Sequence, residues 1–382
     1  MSQDQSVVRL RGARAFRSRL VLATLCKRKV EVSKIRQNDE QPGLRNDEAS
    51  FLRLLDKLTS GSRVEINATG TRLRYKPGFL VGGRVDHDVS QSTRGVGWFL
   101  DGILPLLPFL AKPLELVLTG ATSGDSRARS ADAIKHVALP VLRVCTGGSA
   151  IMDLVVERRE AVPQRHKHAM PVAATEHGRV KLTCGRCNIQ PLELEDAGLV
   201  KAVRGVAYCT RTSPSLANRV VAGASDLLRE LVHEVRVVTD ASARRDCAPV
   251  PGFGVVLVAE TTAGRVRSAQ LDIGDFRDRG ADEEDVSPED LGRKCAELLL
   301  RELASGGVVD AHDQPLLLTL MALGPEDASV ARIGAVSKRT VERLRLIKKF
   351  AGVTFKLQHA PDQTVRCACL GAGFLNFSKA VS

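Results

Sequence analysis

Apolar positions along the chain recur with helical and strand periods, and the order of those periods repeats. FRSRLVLATLCK (16–27) keeps apolar residues at helical spacing, and KVEVSKI (29–35) alternates as a strand does. NDEASFLRLLDKL (46–58) opens on acids and continues at helical spacing, which predicts a second helix. SRVEINA (62–68) and TRLRYKP (71–77) alternate on either side of Thr69-Gly70, the pattern of a hairpin. The order returns in GVGWFLDGILPLLPFL, LELVLTG, SADAIKHVALPVLRV, AIMDLVVER and GRVKLTC. It returns again in DLGRKCAELLLRELA, a helix over 313–323, VARIGAV, SKRTVERLRLIKKF and VTFKLQ. A period of about 90 residues predicts an α/β (α+β layered) fold built from three repeated two-helix/four-strand units.

Between the second and third units the pattern changes. KAVRGVAYCT reads as a strand, and SPSLANRVVAGASDLLRELV as a helix capped by Ser213 with Pro214 in its first turn. EVRVVTD, FGVVLVAETT and RVRSAQLDI follow as strands. The division this predicts is 1–199 for the first two units and 200–283 for an inserted small α/β domain. The third unit then takes 284–358 and a C-terminal tail 359–382, in which the stretch after Arg366 lacks clear periodicity and reads as loosely ordered.

Charge sharpens the picture. The net charge is +12, and residues 1–100 carry 19 Lys/Arg against 10 Asp/Glu, whereas 271–300 carry 4 against 10. Such asymmetry suits a positive face for a polyanion and a separate acidic segment. Aromatic residues make up only 4%, which argues against a base-stacking sheet and leaves phosphate contacts as the way to hold nucleic acid. The longest apolar run, around 98–111, is broken by Asp101, Gly102 and two prolines, too short to span a bilayer. The N-terminus lacks a signal-peptide pattern, and nine irregularly spaced cysteines fit a reducing compartment.

Several motifs carry weaker signals. Cys184-Gly-Arg-Cys187 lacks a second paired motif for zinc, His177 and Cys209 being the nearest candidates, and Cys367-Ala-Cys369 is no stronger. No metal is expected. His166 and His168 lie in a basic loop expected to be solvated. His87 sits between Asp86 and Asp88, and strand alternation turns it away from both. The stretch from Tyr75 to Phe109 holds six glycines and looks like a phosphate-holding loop, yet it matches neither standard glycine motif. RGVGWF opens a helix, which suits an anion or equally a tightly packed helix start.

YKPGFLVGG, LVLTGAT, RGVAYCTRTSPSLANRVV, PGFGVVLVAET, EDLGRKCAELLLRELASGG and HDQPLLLTLMALG together resemble the RNA 3′-terminal phosphate cyclase superfamily, over about residues 7–357. The resemblance implies units similar to the C-terminal domain of translation initiation factor three. True cyclases bind ATP and form a histidine–AMP adduct. The cyclase-like branch serves small-subunit ribosomal RNA processing in the nucleolus, without cyclising. The residues favour that branch. Where cyclases carry an acid and a glycine run, this chain has Gly12-Ala13-Arg14-Ala15-Phe16-Arg17-Ser18-Arg19, and Arg339 stands at the place of the nucleophilic histidine. A guanidinium has no lone pair with which to attack phosphorus.

The expected role is therefore a non-catalytic assembly factor of the nucleus and nucleolus with no cofactor. By resemblance its partners are a GTPase of the small-subunit processome and precursor small-subunit ribosomal RNA with its small nucleolar ribonucleoprotein. The acidic 271–290 segment and the insert's surface are candidate contacts. Arg14, Arg17, Arg19, Arg94, Lys338 and Arg339 are the candidate RNA-phosphate or anion ligands. The alternative is an endonuclease or RNA-end-modifying enzyme using His312 with Asp86 or Asp313 as its acid–base pair.

Overall fold

The computed structural model describes residues 7–162, 177–241, 247, 248, 250–277 and 286–374. The chain begins with β1 (Val8–Arg11), α1 (Phe16–Leu25), β2 (Val30–Ser33), α2 (Asn46–Leu58), β3 (Thr59–Ser60), β4 (Arg63–Ile66), β5 (Leu73–Lys76) and β6 (Phe79–Leu80). β1 and β2 run parallel, and β5 and then β4 add antiparallel, giving the order β1-β2-β5-β4. The β4–β5 hairpin turns at Gly70, whose φ of +66° suits glycine, as Thr69-Gly70 predicts. β3 and β6 form a small ribbon of their own.

β7 (Gly83–Asp88), α3 (Val96–Ile103), β8 (Leu114–Thr119), α4 (Ala131–Ala133), α5 (Leu139–Cys145), β9 (Met152–Arg158) and β10 (Arg179–Cys184) follow. Their sheet, β7-β8-β10-β9, repeats the arrangement of the first: a parallel pair and then two antiparallel strands. The helix expected over 95–110 ends at Ile103 and gives way to a 3-10 stretch over Leu104–Phe109, because Pro105 and Pro108 lack the N–H a helix needs. The run from Ala131 to Cys145 widens into a π-helical turn at Ile134–Ala138, just before Pro140. The glycine-rich stretch is only partly a loop, since Gly83–Asp88 is a strand.

β11 (Glu193–Leu194) comes before the insert, which contains β12 (Val200–Thr210), α6 (Pro214–Arg229), β13 (Glu234–Ala241), β14 (Gly252–Thr261), β15 (Val266–Asp272), α7 (Ile273–Arg277) and α8 (Pro288–Ala304). Its sheet runs β13-β12-β14-β15. Ser213 caps α6 by accepting from the Ser215 N–H at 3.4 Å, with Pro214 following as read from the sequence. Helix α8 was expected in the third unit. It packs instead on α6 and β15, with Leu291, Cys295, Ala296 and Leu299 buried in the insert's own core.

The chain then forms α9 (Gln314–Leu323), β16 (Ala328–Ile333), α10 (Lys338–Ala351), β17 (Lys356–His359) and β18 (Val365–Leu370). Here β11 pairs parallel with β16, and β18 and β17 complete the order β11-β16-β18-β17. The expected loose tail thus contains an interior strand. Val365, Cys367 and Cys369 alternate inward as small apolar residues, both thiols free and buried in the core. Helix α9 is buried along its whole length, as suits a helix apolar on all sides at the centre of the molecule. Ser337 caps α10 by accepting from the Thr340 N–H at 3.1 Å, and Gly352 at φ +75° ends it. Among the described residues no helix is long and apolar enough to cross a membrane.

Candidate functional site

A cleft of about 360 Å³ opens where the starts of α1, α2, α3 and α9 meet α10. Its positive lining is Arg17, Arg36, Arg45, Arg94, Arg127, Arg339 and Arg343, and its acids are Asp47, Glu48 and Glu342. The chain leaves β1 through Gly12 at φ +69° and enters α1 through Ala15 at φ +51°. That turn carries Arg17 towards Trp98, the only tryptophan of the chain.

The arginines differ in what they touch. Arg36 is held bidentately by Glu48, both bonds at 2.7 Å, and its charge is answered locally. Arg94 donates to Asp125 Oδ1 at 2.9 Å. Arg17 has no carboxylate in contact among the described residues. It donates to the Trp98 carbonyl and lies 4.0 Å from the centre of the Trp98 ring. Burial pushes Arg17 down to about 9; Asp101 opposes this, while Arg339, Arg94 and Arg343 add to it. It remains a cation at neutral pH. Arg343 donates to Thr319 Oγ1 at 3.1 Å and to Ser18 Oγ at 3.0 Å, and burial and then Arg339 lower it to about 10. Two cations with only neutral partners therefore converge on one wall.

Of the residues singled out from the sequence, the fold brings Arg17, Arg94 and Arg339 into the cleft and leaves the others outside its lining. Arg14 is exposed and paired with Glu342. Arg19 turns away, its Nη1 donating to the Gly12 carbonyl at 2.6 Å and its Nη2 to the Arg11 carbonyl at 3.2 Å. It ties the β1–α1 turn together. Lys338 is exposed at the head of α10. Arg343, Arg36, Arg45 and Arg127 also line the cleft, and no motif in the sequence singles them out. Only the apolar-basic run of α10 hinted at Arg343, because the others approach through tertiary packing.

Arg339 Nη1 donates to His312 Nε2 at 2.8 Å. Desolvation, then the guanidiniums of Arg129 and Arg339, hold the His312 imidazole below its ordinary range. Its neighbour Asp313 is engaged by Arg129 at 2.7 and 2.8 Å, and Asp86 lies exposed on β7 near Arg84. Among the described residues neither carboxylate is hydrogen-bonded to His312. The start of α3 is also occupied: the Gly95 N–H donates to Asp125 Oδ2 at 3.1 Å and the Val96 N–H to the Ala121 carbonyl at 2.7 Å. A Cβ on Gly97 would sit 1.7 Å from the Arg129 carbonyl oxygen, so that glycine serves close packing.

His87 faces inward, 3.0 Å from Ser50 Oγ, while Asp86 and Asp88 face solvent. Cys184 and Cys187 are buried, and no group able to hold a metal ion is found among the described residues. His166 and His168, and 278–285 of the acidic segment, lie outside the described residues.

A sequence profile of the family described as RNA 3′-terminal phosphate cyclase matches residues 8–357. A human relative named "RNA 3'-terminal phosphate cyclase-like protein" is 43% identical over 376 residues, covering 96% of each chain. The "rRNA processing protein rcl1" of Schizosaccharomyces pombe is 34% identical over 98% of each chain, and the "rRNA processing protein RCL1" of Saccharomyces cerevisiae 33% identical over 97% of each. The chain belongs to the RNA 3′-terminal phosphate cyclase family, among its cyclase-like members.

Proposed function

We propose that this protein is a non-catalytic factor of small-subunit ribosomal RNA processing that holds precursor RNA through its phosphates. The observation that carries this reading is the pairing of Arg17 and Arg343, cations with only neutral partners on one wall of the cleft. An incoming phosphate supplies the charge these two lack, with Arg339 and Arg94 beside them. The names of the fungal relatives support a role in ribosomal RNA processing. Docking to a GTPase of the processome, association with a small nucleolar ribonucleoprotein and a nucleolar site of action belong to the same reading, on family resemblance. So does the loss of cyclase chemistry, since Arg339 at the head of α10 offers no nucleophilic lone pair.

The test incubates the pure protein with α-labelled ATP and an RNA ending in a 3′-phosphate. The expected result is no covalent label and no cyclic end, together with RNA binding that falls steeply with salt. Stable label or a cyclic end contradicts it.

A second reading rests on the His312–Arg339 contact. A neutral imidazole beside a guanidinium places a proton acceptor next to a cation for the cleaved phosphate, although burial and the neighbouring guanidiniums make His312 a weak base. Cleavage of precursor RNA that His312→Ala abolishes would establish that reading in place of the first.

A further inference from the structure

The insert's sheet is covered on one face and only half covered on the other. Val203, Ala207, Val255, Leu257, Ala259 and Leu271 pack beneath α6 and α8. On the opposite face the main body reaches β15 and β14 and stops. Ser268 donates to Asp310 at 2.9 Å, Gln270 donates to the Ala128 carbonyl and accepts from the Ser130 N–H, both at 2.9 Å, and Ala133 and Val137 cover Val256 and Val258. Beyond this line, alternation leaves Arg204 and Val206 of β12 and Arg236 and Val238 of β13 facing outward. They floor a groove of about 260 Å³ walled by His136 and Glu260.

Two features say what fits there. Among the described residues β13 is the edge strand of its sheet and most of its positions are exposed or half-buried, with Val238 46% exposed. An open edge offers unpaired N–H and carbonyl groups to another extended chain. The charges at the rim are also unequal. Arg204 is answered by Glu234 at 3.2 Å and Glu260 at 3.1 Å, while Arg236 has no ion pair among the described residues. The groove thus joins a valine floor to one unanswered guanidinium, and Glu234 and Glu260 make it a poor seat for a nucleic-acid backbone.

We propose that this groove docks an extended segment of a partner protein, in which an aliphatic residue and a carboxylate stand two positions apart and so share one face of the strand. The segment adds to the free edge of β13, lays its aliphatic side chain on Val206 and Val238, and pairs its carboxylate with Arg236.

The test titrates the full chain with a short, end-blocked, fluorescent peptide of the repeat Val-Thr-Glu-Thr, which puts valine and glutamate on one face, and with its counterpart in which lysine replaces glutamate. The glutamate peptide is expected to bind about tenfold more tightly and to slow amide exchange along β13. Arg236→Glu, at an exposed position, is expected to reverse that preference. Should that variant fail to fold, Val238→Asp is expected to abolish binding of both peptides. The proposal is overturned by equal binding of the two peptides, by exchange along β13 that does not slow, or by protection of β13 by single-stranded RNA instead.

Discussion

Two sets of buried or half-buried arginines lie close together in this protein, and their partners divide them. Arg129 donates to Asp101 at 2.5 and 3.0 Å and to Asp313 at 2.7 and 2.8 Å. Arg159 donates to Asp132 at 2.6 and 3.2 Å and to Asp240 at 2.6 and 3.0 Å. Each of these guanidiniums meets two carboxylates, which hold it charged even in a dry interior. Arg17 and Arg343, on the cleft wall, meet only carbonyls, hydroxyls and an aromatic face. The first set joins parts of the fold. The second leaves positive charge facing a cavity, with no carboxylate in contact among the described residues.

Breaking the first set should have the largest effect. Arg129→Ala strands Asp101 and Asp313 as buried carboxylates without their cation, and should cost about 3–5 kcal/mol in chemical denaturation. If the loss stays below about 1 kcal/mol, Arg129 is not the fastening described here.

A buried histidine outside both sets gives the next effect. Burial, then Lys57, depresses His87 to about 4, so the unfolded chain takes up a proton first as pH falls. Its contribution is complete above about pH 6.5 and lost as pH drops through 4, at most about 3 kcal/mol. His87→Gln should flatten that part of the stability–pH curve.

Gly97→Ala pushes a methyl group into the Arg129 carbonyl and should cost about 1–3 kcal/mol, read as a lower melting temperature. The smallest effect on stability belongs to the cleft. Arg17→Gln and Arg343→Gln should leave the melting temperature unchanged or slightly raised, within about 1 kcal/mol, because each removes a cation that burial disfavours. The same changes should weaken RNA binding. A large loss of stability would instead place these two with Arg129.

The comparison also shows what could be read in advance. The Thr69-Gly70 hairpin, the Ser213-Pro214 helix start and the strands of the insert follow local rules and were visible as such. β18 was not, because the stretch after Arg366 shows no clear periodicity once its small, weakly polar Cys and Ala residues are read by hydropathy alone, and the inward alternation of Val365, Cys367 and Cys369 appears only in the sheet. The affiliation of α8 was hidden because its apolar stripe fits either core equally well by pattern.

At the site, Arg17 and Arg19 lie two positions apart on α1, about 200° around the helix, so one reaches the cleft and the other the backbone of the β1–α1 turn. Composition marks both as basic and cannot separate them. Arg343 arrives from the far end of the chain, 325 residues from the Ser18 it binds. Its role is set by packing, and its neighbours in sequence carry no sign of it.

The most direct measurement is the salt dependence of single-stranded RNA binding, by fluorescence anisotropy of a labelled RNA, for the parent chain and for Arg17→Gln with Arg343→Gln. If the two guanidiniums each hold a phosphate, the slope of log affinity against log salt should become shallower by about 1.4. An unchanged slope, with both proteins folded, would contradict the cleft as the place where RNA is held.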